Sequence, residues 1–517
     1  MLKLLLLCNA VCFVIVCSFL GLSAQQIYLA TGDPLNEQIE ELQARGYLED
    51  LSQTEKPWLM SHIIDAILAD ELEFDSDSKV VAENILNHLQ SPQRHDTELL
   101  SAGAEWGLGV RGLSRERREG YFYQRDTFVS RDFKNELGSI YSARLWTSKE
   151  SKWGFDSKLI FDSDGTRYPW YYGTAHNARI IGQFDHAYLT FQSDRLNLLF
   201  GRQRLIWGPS PRGSLLLNDT SPPIDMLGYS FSVGSFTLSG FSSRLDDYTD
   251  PLSGEVNRRY LSGHRIRLNP GKGLEIALSE IYLYGGADRL PELYYNIPIV
   301  LYYWEAQNRK LDDNAFWGLD ISWVKSGLGR IYSSWVFDDI QRQSRGPQKF
   351  AMQFGANLAP QNLRNWTGLF EFNLVDTYVY GQRKRLNAYL NYGWPIGRLD
   401  SDQREYFAGI YRQLSNNIKL GVEYVGRDKG EYDAADIQPN MAPFGIDFPS
   451  GVVEHLNNFA IILKIQAQHR IDGHISLGYE TIENYQHISG YSIDQAFAMI
   501  TLSYSFTTGI PFWKESP

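Results

Sequence analysis

The sequence predicts a mostly all-β membrane protein: a transmembrane antiparallel β-barrel of about 18 strands, preceded by a small periplasmic helical bundle. Three observations point there. After Ser101 apolar residues recur with a period of two, in runs of about ten residues. The runs number about 18, an even count. Their connections alternate between short and long, which places short turns on one rim and long loops on the other. A soluble sandwich has no reason to sort its loops by rim.

Composition narrows the possibilities. The chain has 517 residues and a formal charge of -12, so it lacks the basic stripes that nucleic acid requires. Aromatic residues make up 14 %, too many for a disordered chain. Tyr and Trp in this number suit the aromatic girdles of a membrane barrel.

The N-terminus, residues 1–24, reads as a secretory signal peptide. Lys3 precedes an apolar run from Leu4 to Leu22 that exits at Ser23-Ala24. The rival reading is an uncleaved anchor. Cys8, Cys12 and Cys17 all lie in this segment, so the chain beyond it has no disulfide, thiolate metal site or cysteine nucleophile. A lipid-modified Cys17 is disfavoured by the bulk of Val16 before it. No later stretch offers about 18 consecutive apolar residues.

Residues 25–98 read as a helical bundle. Leu35, Ile39 and Leu42 recur at helical spacing, and Gly46 stands where a C-cap glycine belongs. Trp58, Ile63, Ile64, Ile67 and Leu68 mark a second helix; Val80, Val81, Ile85, Leu86 and Leu89 mark a third. Such a bundle serves as a docking or plug module.

Residues 99–517 read as the barrel. The series opens with runs at 104–112 and 136–148, although 120–129 also reads as strand, and closes at 494–506. Trp317, Leu319, Ile321 and Trp323 alternating with Asp320 and Ser322 illustrate the pattern. Both termini and the bundle then fall on the periplasmic side, and the long loops lie outside the cell. The last run, Ala498 to Phe506, ends in an aromatic, although a tail through Trp513 follows.

One connection, Gly201 to Leu227, is broken by Pro209, Pro211, Pro222 and Pro223, yet carries Leu215, Leu216 and Leu217. An apolar loop of this length folds onto something. Leu215–Leu217 and Ile297–Leu301 are therefore expected to fold inward and constrict the lumen; the alternative is a partner outside. Arg202, Arg204, Arg265, Arg267, Glu275, Asp320, Glu371 and Glu423 are expected to point into the barrel, as a self-neutralising network or as a selectivity filter.

Several stretches carry a family resemblance. GRQRLIWGP, with Arg202, Trp207, Gly208 and Pro209, followed by SLLLNDTSPPIDML, resembles the Wzi capsule-assembly family. So do SEIYLYGGADRLPELYYNIPIVLYYWEAQN, DDNAFWGLDISW, SSWVFDDIQ and the N-terminal DPLNEQIEELQARGYLEDL with KPWL. The resemblance covers essentially the whole chain after the signal. It implies an 18-stranded outer-membrane barrel with a periplasmic bundle and a lectin-like role in attaching capsular polysaccharide.

A polysaccharide site needs aromatic faces and planar polar groups, with arginine where the sugar is acidic. Trp170, Tyr171 and Tyr172 stand beside Arg167. Tyr294, Tyr295, Tyr302, Tyr303 and Trp304 lie between Arg289 and Arg309. Tyr378, Tyr380 and Trp394 accompany Arg383 and Arg385. The competing reading of each is interface girdle or loop packing.

Catalysis finds no support. The histidines His176, His186, His264, His455, His474 and His487 have no metal spacing, so no metal or cofactor is expected. Asp312-Asp313 and Asp338-Asp339 are adjacent pairs, and neighbours in a strand point to opposite faces, unlike the carboxylates of a glycosidase. The expectation is a non-enzymatic outer-membrane protein that binds, anchors or helps assemble capsular or extracellular polysaccharide. Its partners would be that glycan, outer-membrane lipid and the barrel assembly machinery, not nucleic acid. A diffusion porin is the alternative, since 18 strands are wide enough to conduct.

Overall fold

The computed structural model of the chain describes residues 27–90, 101–114, 136–148, 152–163, 181–311, 313–339, 349–438, 447–467 and 471–511. Eighteen strands form its wall. They are β1 (Ser101–Ser114), β2 (Glu136–Ser148), β3 (Trp153–Asp162), β4 (Ile181–Gln192), β5 (Leu196–Gln203) and β6 (Ile224–Val233). Then come β7 (Phe236–Arg244), β8 (Val256–Gly271), β9 (Leu274–Gly286), β10 (Asn314–Lys325), β11 (Gly329–Asp339) and β12 (Lys349–Leu358). Last are β13 (Trp366–Val375), β14 (Gln403–Ser415), β15 (Ile418–Lys429), β16 (Glu454–Ala467), β17 (Ile471–Glu483) and β18 (Ile493–Pro511). Each pairs antiparallel with its neighbours. The seam closes where β1 pairs with β18, from Ser101↔Pro511 to Ser114↔Ala498. Closure leaves no edge, which hydrocarbon would not tolerate. The first two runs form β1 and β2 as expected; 120–129 lies outside the described residues.

The outer face follows the pleat. Phe200, Leu227, Leu278, Val422, Phe459 and Ile461 are exposed on it, while their sequence neighbours turn inward. Trp106, Trp153, Trp323 and Trp366 ring the short-turn edge, and Tyr406 and Tyr479 stand towards the other. These are the two girdles of a lipid band.

The N-terminal helices are α1 (Leu35–Arg45), α2 (Met60–Ala69) and α3 (Ser76–Gln90). Ile39, Leu42, Ile63, Ile67, Ile85 and Leu89 form their common core. Gly46 ends α1 in the left-handed region at φ 99, with Tyr47 N–H bonded to Leu42 carbonyl at 3.0 Å. Asp75 caps α3 by accepting Ser78 N–H at 2.8 Å. The second helix starts after Trp58, whose indole N–H instead ties back to Ser52 carbonyl at 2.8 Å.

The bundle plugs the short-turn mouth of the barrel. Lys419 on β15 donates to Glu37 and Glu41 of α1, each at 3.0 Å, and Lys464 on β16 reaches Glu37 at 2.7 Å. Burial opposes charge on Glu37, yet the two ammonium groups prevail and hold its carboxyl well below the usual range. Arg45 donates to Arg364 carbonyl in a short turn. From this base the segment 52–56 enters the lumen. Ser52 hydroxyl, Gln53 N–H and Thr54 hydroxyl all donate to Glu275 of β9, at 3.1, 3.1 and 2.6 Å.

The expected lumen network is present. Arg265 pairs with Asp320 at 2.8 Å, and Arg267 with Glu275 at 3.2 Å, all facing inward. Arg202 is a correction: it lies on the outer face with Phe200 and pairs with Asp225 across the β5–β6 ladder at 2.7 Å. The strand has reached the long-loop rim there, where an outward charge meets headgroups and water. Arg204, by contrast, turns inward and holds the Gly201–Leu227 connection, donating to the Asp219 and Ser221 carbonyls at 2.6 Å each.

Candidate functional site: the sealed extracellular mouth

Leu215, Leu216 and Leu217 are buried inside the barrel, as expected. They pack against inward wall residues such as Phe241, Ile281 and Phe316, and against Val379, Tyr380, Tyr389 and Ile396 from the 376–402 loop. Two long loops thus interlock across the lumen. Their backbones must be bonded where water is excluded. Asn218 N–H donates to Ile396 carbonyl at 2.9 Å and Arg398 N–H to Ser214 carbonyl at 2.8 Å. Tyr389 hydroxyl donates to Leu216 carbonyl at 2.8 Å, and Tyr380 hydroxyl to Leu215 carbonyl. Burial pushes both phenols far above their ordinary range, so they remain donors. At Gly397 the chains approach so closely that a Cβ would stand 2.2 Å from Leu215 carbonyl oxygen.

Charge explains why the loops turn in. Arg212 and Arg398, one from each loop, enter beside the wall carboxylates Glu371 and Glu405. Arg212 reaches Glu405 at 2.8 Å and lies over the Phe407 ring at 3.9 Å. From the wall, Arg259 grips the 376–402 loop through the Leu386, Ala388 and Leu390 carbonyls at 2.7, 2.7 and 2.8 Å. Asp402 ties this loop to the next, accepting Tyr432 N–H at 3.2 Å and Ser450 N–H at 3.0 Å.

The two plugs meet inside the barrel. Glu55 and Lys56 form a short antiparallel pair with Trp207 and Ile206. Gly208 N–H donates to Thr54 carbonyl at 2.8 Å. Arg265 donates to the same carbonyl at 3.0 Å and lies over the Trp207 ring at 5.7 Å. A void of about 60 Å³ lies beside Trp207, Tyr28 and Met226, room for a water or two.

The sequence-predicted glycan residues fare unequally. Arg167, Trp170, Tyr171 and Tyr172 lie outside the described residues. Tyr378 is buried against Tyr432, ring centroids 5.0 Å apart, and Trp394 is buried in a two-residue hairpin. Tyr302 is buried on the barrel's outer wall, its ring 4.2 Å from that of His264. Tyr303 and Trp304 are exposed on that same wall, away from the mouth. Ile297–Leu301 correct the expectation of inward folding: Ile297, Ile299 and Leu301 are exposed outside the barrel. Among the described residues, the mouth presents Arg383, Lys384 and Arg385, all exposed, and exposed Tyr392 within electrostatic range of Arg244. Arg212, Arg259 and Arg398 were not singled out from sequence; their signal was cationic residues set within or beside apolar loop segments.

Among the described residues no helix is long and apolar enough to span a membrane, which says nothing of strands. A closed barrel with a lipid band, entered from both ends by segments of its own chain, defines an outer-membrane β-barrel protein. The model of the capsule assembly protein Wzi family matches residues 133–494, and the chain belongs to that family. Among solved structures, it resembles Wzi of Escherichia coli, described as an outer membrane protein involved in group 1 capsule assembly and a carbohydrate-binding β-barrel. Identity is 14 %, the match covers 93 % of this chain and 99 % of that one, and the TM-score is 0.64, a shared fold. OprD of Pseudomonas aeruginosa matches at 9 % identity over 78 % of this chain and 95 % of its own, TM-score 0.44. OccK1 (OpdK) of the same species matches at 11 % over 79 % and 99 %, TM-score 0.45. Their likeness stops at the general barrel outline. No curated protein sequence matches the chain.

Proposed function

We propose that this protein holds or helps assemble a capsular or other extracellular polysaccharide at the cell surface, by binding it on the extracellular lip of the plugged barrel. The observation that carries this is the doubly filled lumen: a porin needs an open polar path, and Leu215–Leu217 close it with apolar side chains. What remains for function is the outer surface. There the 376–402 loop, fixed from below by Arg259, presents Arg383, Lys384 and Arg385. Guanidinium groups suit the carboxylates of an acidic glycan, and Tyr392, an exposed ring of the same loop, suits the apolar face of a sugar. Arg167, Trp170, Tyr171 and Tyr172 remain candidates for the same surface. Outer-membrane lipid and the barrel assembly machinery are the further partners this reading requires. It assigns no catalytic step and no cofactor.

A glycan array on detergent-purified protein tests the proposal. Acidic polysaccharides are expected to bind, with affinity falling as salt rises. Replacing Arg383 and Arg385 together with alanine should weaken that binding at least ~10-fold, about 1.4 kcal/mol. Equal binding by the variant removes the lip from the site. Steady large conductance of the parent protein in planar bilayers would overturn the reading in favour of a porin.

A further inference from the structure

The 287–313 loop folds over the outside of the wall, not into the lumen. On the outward face of β8 and β9, Ile266 and Leu278 are exposed, as lipid-facing residues are. One ladder step further from the short-turn rim stand His264 and Glu280, in register and both buried. Tyr282, Tyr260 and Tyr284 follow above them, also buried. Their cover is the loop itself: Tyr295 packs on Tyr282 and Tyr284 at 5.0 and 4.7 Å, and Tyr302 packs on His264 at 4.2 Å.

A short helix, α4 (Tyr302–Arg309), begins against this wall. Glu280 carboxylate accepts the first two helical amides, Tyr302 N–H and Tyr303 N–H, each at 2.8 Å, and His264 Nε2 lies 3.0 Å from it. An outward carboxylate on a barrel strand is tolerable only when covered and paired. The same carboxylate satisfies amides that a helix start leaves open. From Leu274 to Glu280 the strand climbs ~20 Å at ~3.3 Å per residue, or ~15 Å in height at ~40° tilt. That places the start of α4 within an apolar band ~25 Å tall.

The other side of the loop faces away from the barrel. Leu293 is 82 % and Ile299 84 % exposed, and Ile297, Leu301 and Trp304 are exposed with them. In water such a contiguous patch would promote aggregation. Here it continues the lipid-facing surface of Leu278 and Ile266 below it. Cationic residues stand at the far end: Arg309, paired with Glu305 at 2.5 Å and packed over the Tyr294 ring at 4.4 Å, and exposed Lys310. Long basic side chains at that position extend to anionic headgroups.

We propose that the 287–313 loop is a lipid anchor: its Leu293–Ile297–Ile299–Leu301–Trp304 face sits among acyl chains of the outer leaflet, while Arg309 and Lys310 meet headgroup phosphates. The Glu280–His264 pair locks the loop against the wall, so that the first two amides of its helix start are bonded to Glu280 rather than turned towards hydrocarbon. The anchor fixes the height and tilt of the barrel and so the aim of the extracellular lip.

The test uses spin-label accessibility on the full chain, purified and reconstituted in phosphatidylethanolamine–phosphatidylglycerol vesicles. Labels are placed at Ile299→Cys, at Leu278→Cys as a belt control and at Arg385→Cys as an aqueous control. Folding of each variant is checked by heat-modifiable migration. The Ile299 label is expected to match Leu278: high collision with oxygen and several-fold lower collision with a water-soluble nickel chelate than at Arg385. Nickel accessibility at Ile299 equal to that at Arg385 overturns the proposal. So does accessibility that is high in vesicles and lost only in native envelopes, which would make a protein partner the cover.

Discussion

Arg265 joins three parts of the molecule, so its replacement by methionine is the most informative single change. The side chain is fully buried and bonds Asp320 at 2.8 Å and Ser279 at 2.7 Å on the wall, and Thr54 carbonyl at 3.0 Å on the bundle segment. It also lies over the Trp207 ring of the inward loop. Methionine keeps much of the volume but leaves Asp320 as a buried charge without its cation. Removing one partner of a buried pair costs about 3–5 kcal/mol, here joined by the lost bond to Thr54. At 1.4 kcal/mol per tenfold, the balance between seated and unseated plug should shift at least ~100-fold towards the latter. Urea titration of vesicle-reconstituted protein measures the stability. Proteolysis of the 51–58 segment measures the unseating. Adding Asp320→Asn to Arg265→Met removes the stranded charge and should recover most of the loss. A single variant within ~1 kcal/mol of the parent, or a double variant no better than the single, refutes the electrostatic account of the junction.

Two further outcomes follow from the loops. Leu216→Ala removes a fully buried side chain from the seal, a change worth about 2–5 kcal/mol, and should raise the frequency of brief openings in planar bilayers; closed-state statistics identical to the parent would show that the leucines do not bear the seal. Asp400 accepts Ala434 N–H at 3.0 Å across two loops, and its carboxyl is pushed up to about 6 by burial, with Lys429 opposing and Asp433 adding to the rise. The folded chain therefore holds this proton more tightly than the unfolded chain. The stabilisation is fully present below about pH 4 and is lost as pH rises through about 6, roughly 2 kcal/mol after allowing for partial solvent access. Hydrogen exchange at Ala434 should accelerate across that window beyond its intrinsic pH dependence, and Asp400→Asn should flatten the excess; an unchanged profile in the variant assigns the effect elsewhere.

The wall was legible because lipid imposes a period of two on every strand and the rims sort the turns by length. Even the Arg202 correction was available from that period, since Arg202 follows Phe200 by two residues on the outward face. Its charge argued for the lumen; the pleat argued for the outside, and the pleat prevailed because the strand ends at the headgroup level. The mouth was less legible. Leu215 to Leu217 announce burial, but their partners Val379 and Tyr389 lie far along the chain, and no local pattern pairs the two loops. Ile297 to Leu301 carry the same apolar signal with the opposite outcome. A loop on a membrane barrel has two greasy destinations, the interior and the outer wall, and residue type alone does not choose between them. The deciding residues, Glu280 and His264, sit on strands and read from sequence as ordinary polar positions.

The meeting of Glu55–Lys56 with Ile206–Trp207 has a consequence for biogenesis. A segment that precedes every wall strand in the chain comes to rest at the heart of a cylinder whose seam joins the first of those strands to the eighteenth. Maturation therefore requires either that the cylinder wrap around a waiting N-terminal segment, or that this segment thread upward through the periplasmic opening once the staves are joined. In both cases the stopper is fitted by the same polypeptide that makes the bottle, and a nascent chain lacking residues 51–58 should arrive in the membrane as a leaking vessel.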